Sequence, residues 1–356
     1  MISAAEQELI ARVAQAPDDD APRLVLADWL SQQGEPRGEL IVTACTLTRD
    51  DVPIGVRRAL LKRHDALLQE HGKRWLGELG LRHDEGRFVR GMVEEAQVWS
   101  PSLMKNIDML FARTPLRALR VIDPDFETLR LLSFSPHVSR LRALTVDHLA
   151  RGLTSQLLEI QALESLSHFR ISNTGVTDDE VRLLVESKRF LALSSLELDR
   201  NRIGTRGAVS LADAENLPAL VSLDLMINEI GDAGARALAS APQRKSLRAL
   251  GVNHNRLTEV GAIAISDTRH LTQLHTLDLG FNDLGDRGVS ALARSMWLGG
   301  LTTLNLERAQ FTAVGARALA VSTSFPNLTM LELAYNYLPA PEQELLRAHF
   351  NGRVRF

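Results

Sequence analysis

The sequence predicts an α/β solenoid, a stack of strand–turn–helix units, preceded by a small all-helical segment. Three observations predict it. An eleven-residue pattern, L-x-x-L-x-L-x-x-N-x-I/L, recurs every 27 residues from Leu193 onward. A second pattern of the form IGDAGARALA follows most copies. About the first 80 residues carry neither pattern, and their apolar residues fall at helical spacing instead.

In chain order, that helical spacing marks Ala4–Ala16, Ala21–Gln33, Arg37–Thr48 and Gly55–His71. Between the first two lies Pro17-Asp18-Asp19-Asp20-Ala21-Pro22, whose adjacent carboxylates raise the question of a metal or catalytic site. Consecutive side chains splay apart, however, and the spacing of a calcium loop with its distal glutamate is missing. Proline in the first turn of a helix costs nothing, because the N–H it lacks has no partner there anyway. Asp19 or Asp20 is therefore expected to cap the next helix, a contribution of about 1 kcal/mol. Arg23, Asp28, Arg37 and Glu39 are expected to form an ion-pair cluster between helices. Trp29 and Trp75 are expected to anchor the core.

The repeat starts at Leu193, Leu220, Leu247, Leu274, Leu301 and Leu328 without gaps. Weaker copies start at Leu166, Leu141 and Leu116, and Phe88 is read as opening a degenerate first turn. The apolar alternation in L-x-x-L-x-L matches a short strand with one buried face. Asn201, Asn228, Asn255, Asn282 and Asn336 suit a buried turn, where the amide serves free backbone groups. Thr174 and Ala309 interrupt that ladder, so their turns are expected to be less regular. Gly207, Gly234, Gly261, Gly288 and Gly315 are read as letting a helix approach the strand layer. One unit cannot bury its apolar face alone, so the units must stack. The strands then form a parallel sheet on the concave side, and the helices line the convex side. Pro339 and Pro341 precede a last helix, and Asn351-Gly352 turns the chain toward a closing strand at Val354 and Phe356.

On these residues the repeats resemble leucine-rich repeats of the ribonuclease-inhibitor-like class, whose consensus is similar to LxxLxLxxNxIgdxGaxaLa. The resemblance covers residues 116 to 338, and more weakly the stretch from Phe88. It implies a leucine-rich-repeat solenoid curved into a horseshoe that binds another protein. The stretch LIARVAQAPDDDAPRLVLADWLSQQGEPRGELI resembles the bacterial repeat-companion domain. The match includes Asp18, Asp20, Arg23, Ala27, Asp28, Trp29, Leu30, Gly34, Pro36, Arg37, Gly38 and Glu39. Leu26 stands where that family often has an aromatic. This second resemblance implies a companion of leucine-rich repeats and no defined reaction. The expected organisation is a helical repeat-companion domain at 1–80 and a degenerate capping repeat at 81–115. Nine leucine-rich repeats follow at 116–338, then a C-terminal cap at 339–356.

Lysine and arginine number 41 against 44 aspartates and glutamates, a net charge of -3, and aromatics make up 5% of the chain. Neither favours a nucleic-acid surface. Cys45 is the only cysteine, so no intrachain disulfide and no cysteine-based zinc cluster can form. The N-terminal residues include acids where a secretion signal is basic and then apolar. No run approaches the length of a membrane helix, and the expected location is the cytoplasm. There is no G-x-x-x-x-G-K-[ST] loop, no H-E-x-x-H pair and no G-x-S-x-G elbow. A non-enzymatic protein without cofactor or metal is expected.

In each unit the third, fifth, seventh and eighth residues are expected to face outward on the concave sheet. The fifth positions read Arg120, Thr145, Arg170, Glu197, Asp224, Gly251, Asp278, Asn305 and Glu332, basic early and acidic late. The seventh positions add Asp147, Asp199, Met226, Asn253 and Glu307, and the eighth add His148, Arg200, Ile227, His254, Phe281, Arg308 and Tyr335. Exposed Met226, Ile227, Phe281 and Tyr335 rimmed by acids would mark a protein interface. The bland alternative is scattered apolar residues on a solubilising carboxylate surface. The partner-binding candidates are Glu197, Asp199, Arg200, Asp224, Met226, Ile227, Asn253, His254, Asp278, Phe281, Glu307, Arg308, Glu332 and Tyr335. Phe281 and Tyr335 would act as anchors for a protein with a basic or mixed surface. A second expectation comes from resemblance alone: such repeats also occur in Ran GTPase-activating proteins. Arg200, Asn201 and Arg202 would then act on a small GTPase.

Overall fold

The computed structural model describes residues 3–150 and 152–356, and the side chains of 101–104 are outside the description. Arg151, in the repeat that starts at Leu141, lies outside the described residues. The chain forms two compact units, one running to Asp147 and the other from His148 to Phe356.

The first unit opens with helices α1 (Ala4–Gln15), α2 (Asp20–Gln32), α3 (Arg37–Leu47) and α4 (Ile54–Gly77). The last runs six residues past the expected end, because Gly72, Trp75 and Leu76 there are buried. Asp19 is the cap of α2, its Oδ1 accepting from Ala21 N at 2.9 Å. Helices α2 and α3 pack closely at Gly38, where any side chain would collide with Ala27 O and Ser31 Oγ. Next come β1 (Gly86–Val89), β2 (Met92–Trp99), α5 (Ser100–Arg113), β3 (Ala118–Ile122), α6 (Phe126–Phe134) and β4 (Ala143–Asp147). β1 and β2 form an antiparallel hairpin through left-handed Arg90 and Gly91, and β2, β3 and β4 run parallel.

Two expectations for this unit need correction. The parallel register sets Ala96 beside Leu119 and Val98 beside Val121, so the first position of the repeat pattern falls at Val93 within β2, not at Phe88. Phe88 belongs to the returning strand β1 and packs on Trp75, with ring centroids 6.0 Å apart. The expected cluster of Arg23, Asp28, Arg37 and Glu39 also does not form. Arg37 pairs with Glu6 at 2.5 Å, Glu39 takes two bonds from Arg63 at 2.6 Å, and exposed Asp28 accepts from Gln32 at 2.9 Å. Arg23 turns the other way, into the core, where it is fully buried against Glu94 of β2. It also donates to Pro17 O at 2.7 Å and Asp19 O at 3.3 Å. Arg90 donates to Asp18 O and Asp20 Oδ1, both at 3.2 Å, and Arg117 donates to Asp18 Oδ1 at 2.7 Å. The bond from Arg117 holds the Asp18 carboxyl below the usual carboxylate range. The three aspartates thus cap a helix and tie its start to the hairpin.

In the second unit, α7 (Thr154–Glu159), β5 (His168–Ser172) and α8 (Asp178–Glu186) precede the regular repeats. These comprise β6 (Ser195–Glu197), α9 (Thr205–Asp213), β7 (Ser222–Asp224), α10 (Gly231–Ser240), β8 (Ala249–Gly251) and α11 (Glu259–Ser266). They continue through β9 (Thr276–Asp278), α12 (Gly285–Leu292), β10 (Thr303–Asn305), α13 (Ala313–Ala320) and β11 (Met330–Glu332). Helix α14 (Ala340–His349) and β12 (Val354–Arg355) close the unit. β5 to β12 are parallel neighbours in chain order, with Phe169, Leu196, Leu223, Leu250, Leu277, Leu304 and Leu331 in one register. The consensus leucines of each turn, such as Leu193, Leu196 and Leu198, are buried. Each contributes roughly 1.5–3 kcal/mol by leaving water.

The buried asparagines work across turns. Asn228 Nδ2 donates to Leu198 O and Leu225 O at 2.9 Å, and its Oδ1 accepts from Ile203 N at 2.9 Å. Where Thr174 and Ala309 interrupt the ladder, the turns nevertheless keep the left-handed backbone of the others at Asn173 and Arg308. The next asparagine covers the gap, with Asn201 accepting from Thr174 N at 3.2 Å and Asn336 from Ala309 N at 2.8 Å. Leu284 N and Gly285 N donate to the Ala309 carbonyl at 3.2 Å. Those turns are regular.

The glycines also act differently from expectation. They admit the preceding helix, not the strand layer. A methyl group on Gly234 would come within 2.9 Å of Ala208 Cβ, and one on Gly261 within 2.5 Å of Asp232 Oδ1. Asp178, Asp232 and Asp286 each cap the helix of the following repeat. Asp232 Oδ1 accepts from Thr258 N at 2.8 Å and Gly261 N at 2.9 Å.

Candidate partner-binding face

The eighth residue of each repeat from Leu116 onward is left-handed, with φ between 47° and 60°. That conformation swings the chain from the strand into the buried asparagine turn. It suits glycine or asparagine, and other residues strain there by about 1–2 kcal/mol. Asn173 obeys the preference. Ile227, which is β-branched, takes φ 53° with 37% of its surface exposed.

Because β5 to β11 are in register, the eighth-position side chains of the second unit form a column. His254 stacks on Phe281 with centroids 6.0 Å apart and planes 11° apart, and the Arg308 guanidinium lies 5.9 Å from the Phe281 centroid. Tyr335, 64% exposed, comes next. A groove of about 870 Å³ runs beside the column, lined by Phe281, Glu307, Arg308, Gln310, Tyr335 and Tyr337 among others. A smaller recess of about 260 Å³ continues it past His254 and Asp283.

The fifth positions supply acids that also hold the backbone. Asp224 Oδ1 accepts from Met226 N at 2.8 Å, and Asp278 Oδ1 accepts from Gly280 N at 3.0 Å. Asp278 Oδ2 takes the Asn253 amide at 2.8 Å. Burial pushes the Asp224 carboxyl up to about 6 against the opposing Met226 N–H, and Asp199, Glu197 and Asp278 add to the rise. Burial also raises Glu307, reinforced by Glu332 and Asp278.

Charge compensation differs along the chain. Arg170 donates to Glu197 and Asp199 at 3.1 Å. In the first unit, Arg120 is taken up by Asp147 at 2.5 Å and Gln97 at 3.1 Å. The basic early positions are therefore already neutralised. Among the described residues, Asp224, Asp278 and Glu307 have no cationic partner, and Glu332 has only Arg355 at 3.9 Å.

The candidate residues differ in exposure. Glu197, Asp224, Met226, Asn253, Asp278, Phe281, Glu307 and Glu332 are half-buried, while Arg200, Ile227, His254, Arg308 and Tyr335 are exposed. Asp199 is a correction. It is 1% exposed, accepts from Arg170 and from Ser172 Oγ at 2.8 Å, and so serves packing, not contact. Of the trio proposed for a GTPase, Arg200 and Arg202 are exposed, but the Asn201 amide donates to Ile171 O at 2.8 Å and Leu198 O at 2.9 Å. Sequence reasoning missed Tyr337 and Gln310, both left-handed, with Tyr337 91% exposed. The tyrosine pair in AYNYL was the available signal. Among the described residues, no group of three or more His, Cys, Asp or Glu could hold a metal ion. No helix among them is long and apolar enough to cross a membrane.

Residues 193–212, 217–239, 270–293 and 301–320 match a family model described as Leucine Rich repeat. With the strand–turn–helix stack, this defines a mixed α/β leucine-rich-repeat solenoid with a helical N-terminal region. No curated protein matches the chain. Among solved structures, the Rad7 and Elc1 complex in yeast is similar at a TM-score of 0.51 and 18% identity, covering 98% of this chain and 91% of that one. A Bacteroides fragilis protein has a TM-score of 0.44 and 14% identity, with 85% and 84% of the two chains covered. An internalin (inlF) from Listeria monocytogenes has a TM-score of 0.41 and 17% identity, with 74% and 86% covered. At these identities the likeness is one of fold.

Proposed function

We propose that the chain is a non-enzymatic scaffold that holds a partner protein on the sheet face of its C-terminal repeats. The observation that carries this is the stacked column His254–Phe281–Arg308–Tyr335, with its groove, beside Asp278 and Glu307, which have no cationic partner among the described residues. Large, stiff side chains in a groove are what binding hot spots are made of, and uncompensated charge selects the partner's sign. The same fold occurs in a protein crystallised with a partner, the yeast Rad7 and Elc1 complex. The repeats are of the ribonuclease-inhibitor-like kind, and the helical segment is a repeat-companion domain of a bacterial cytoplasmic protein. A buried, free Cys45 fits that compartment. Action on a small GTPase would need Arg200, Asn201 and Arg202 together, and Asn201 is committed to the backbone.

The test is affinity capture from the source cells with the native chain and with Phe281→Ala/Tyr335→Ala. A protein retained by the first and lost from the second, at unchanged thermal stability, is the expected result. Equal retention by both would remove this face from the account.

A further inference from the structure

At the middle of the sheet face, Gly251 is paired in register between Asp224 and Asp278, so one strand there presents no side chain. Neighbouring strands lie about 4.8 Å apart, which sets the two aspartate backbones about 10 Å from each other. A methyl group on Gly251 would come within 2.7 Å of Asp224 Oδ1, so the carboxylate leans over the bare glycine, where any side chain would displace it. Asp224 and Asp278 have no cationic partner among the described residues, whereas Glu197 and Asp199 share Arg170. Beside the gap are half-buried Met226 and exposed Ile227, the latter held in a conformation its branched side chain disfavours. An apolar flank next to two uncompensated acids is complementary to a cation with an apolar neighbour.

We infer that this part of the face receives a lysine or arginine side chain of a partner protein over Gly251, between Asp224 and Asp278. An apolar neighbour of that cation rests on Ile227, and the contact weakens in mild acid. The inference rests on the protein-binding reading and names the chemistry of the occupant. The charged groups that face Asp224 are Glu197 and Asp199 from the preceding turn and Asp278 from the second strand on. Arg170 is already engaged by the first two, and Arg200 and His254 lie at the exposed eighth positions of the adjoining turns. With its carboxyl near 6, Asp224 is ionised above that pH and loses its charge below it. Lysine and arginine stay charged throughout, so the ion pair is complete above about pH 6 and fades below.

The experiment is a random twelve-residue peptide library displayed on phage. It is panned at pH 7.5 against the intact chain and counter-panned against Asp224→Asn/Asp278→Asn. Asparagine can still accept the Met226 and Gly280 N–H groups, and thermal melting checks that the variant folds. The expected peptides carry lysine or arginine beside an apolar residue and bind about tenfold more weakly at pH 5.0 than at 7.5, a difference of about 1.4 kcal/mol. Residual binding to the variant should change less between the two pH values than binding to the native chain. Retained peptides without a cation, or equal affinity at both pH values, overturn the inference. Peptides that bind native and variant chains alike but fail on Phe281→Ala/Tyr335→Ala overturn it while sparing the protein-binding reading. No retained peptide of any kind removes both.

Discussion

The carboxylate of Asp286 caps the helix that contains Gly315, one repeat further along: its Oδ1 accepts from Gly315 N and from Thr312 N at 2.8 Å. Thr312 Oγ1 donates to Oδ2 at 2.8 Å. Burial alone would raise this carboxyl, but the three bonds outweigh it and hold it below the usual range. Asp286→Ala should cost about 1–2 kcal/mol. Because the folded-state value is depressed, the contribution is present above the unfolded value near 4 and is lost as pH falls further. Urea unfolding at pH 7 and pH 3 should show the native–variant gap shrinking in acid.

Asp224 has the opposite sign. Its folded-state value, raised to about 6, penalises folding once the group must ionise. The penalty is absent below about pH 4, grows as pH rises toward 6 and is complete above it. Asp224→Asn should therefore stabilise the chain at pH 7.5 by roughly 1–2 kcal/mol, discounted for its partial exposure. Thermal melts at pH 7.5 and 4.0 should show a gain at the first and none at the second.

Arg23→Ala would strand Glu94 without its partner in the core of the first unit. Removing one member of a buried pair costs about 3–5 kcal/mol, whereas replacing both by apolar residues is often neutral. Arg23→Met with Glu94→Leu should thus recover most of what Arg23→Ala loses. Denaturant midpoints of the three proteins decide it, and no recovery would show that the pair does more than satisfy itself.

Asn255 is fully buried, and its amide donates to Leu225 O at 2.8 Å and Asn253 O at 2.9 Å. Leu225 O and Asn253 O would keep Asn228 Nδ2 and Ile227 N as donors, but Asn255→Ala takes from Ile230 N the Oδ1 that accepts it at 3.3 Å, a loss of about 1–3 kcal/mol. A denaturant midpoint unchanged from the native chain would mean that the turn can re-satisfy itself, as it does at Ala309.

The repeat's period and apolar alternation made the solenoid readable in advance, because both are local in the chain. So was the helix start at Asp19, where a cap and a following proline are adjacent. What escaped involves partners a full turn apart. Asp232 looks like the first turn of its own helix, yet it serves Thr258 and Gly261. Asp199 occupies an outward position by alternation, yet Arg170 and Ser172 of the preceding turn enclose it. Phe88 scans as a strand start, but the chain doubles back there, and only pairing reveals that. Tyr337 fell outside the strand positions, so alternation assigned it no direction.

The relay from Asp178, Asp232 and Asp286 into the following helices gives the stack a two-turn rhythm. These residues are 54 apart, so capping aspartates occur at every second turn, and left-handed Gly231 and Gly285 share that spacing. From Asp178 to Asp286 the turns therefore alternate between two kinds. Excising residues 220–273 keeps the two kinds of turn alternating. Excising 247–273 alone sets two turns of one kind side by side and costs the Asp232 carboxylate the hydroxyl bond that Thr258 supplies at 2.7 Å.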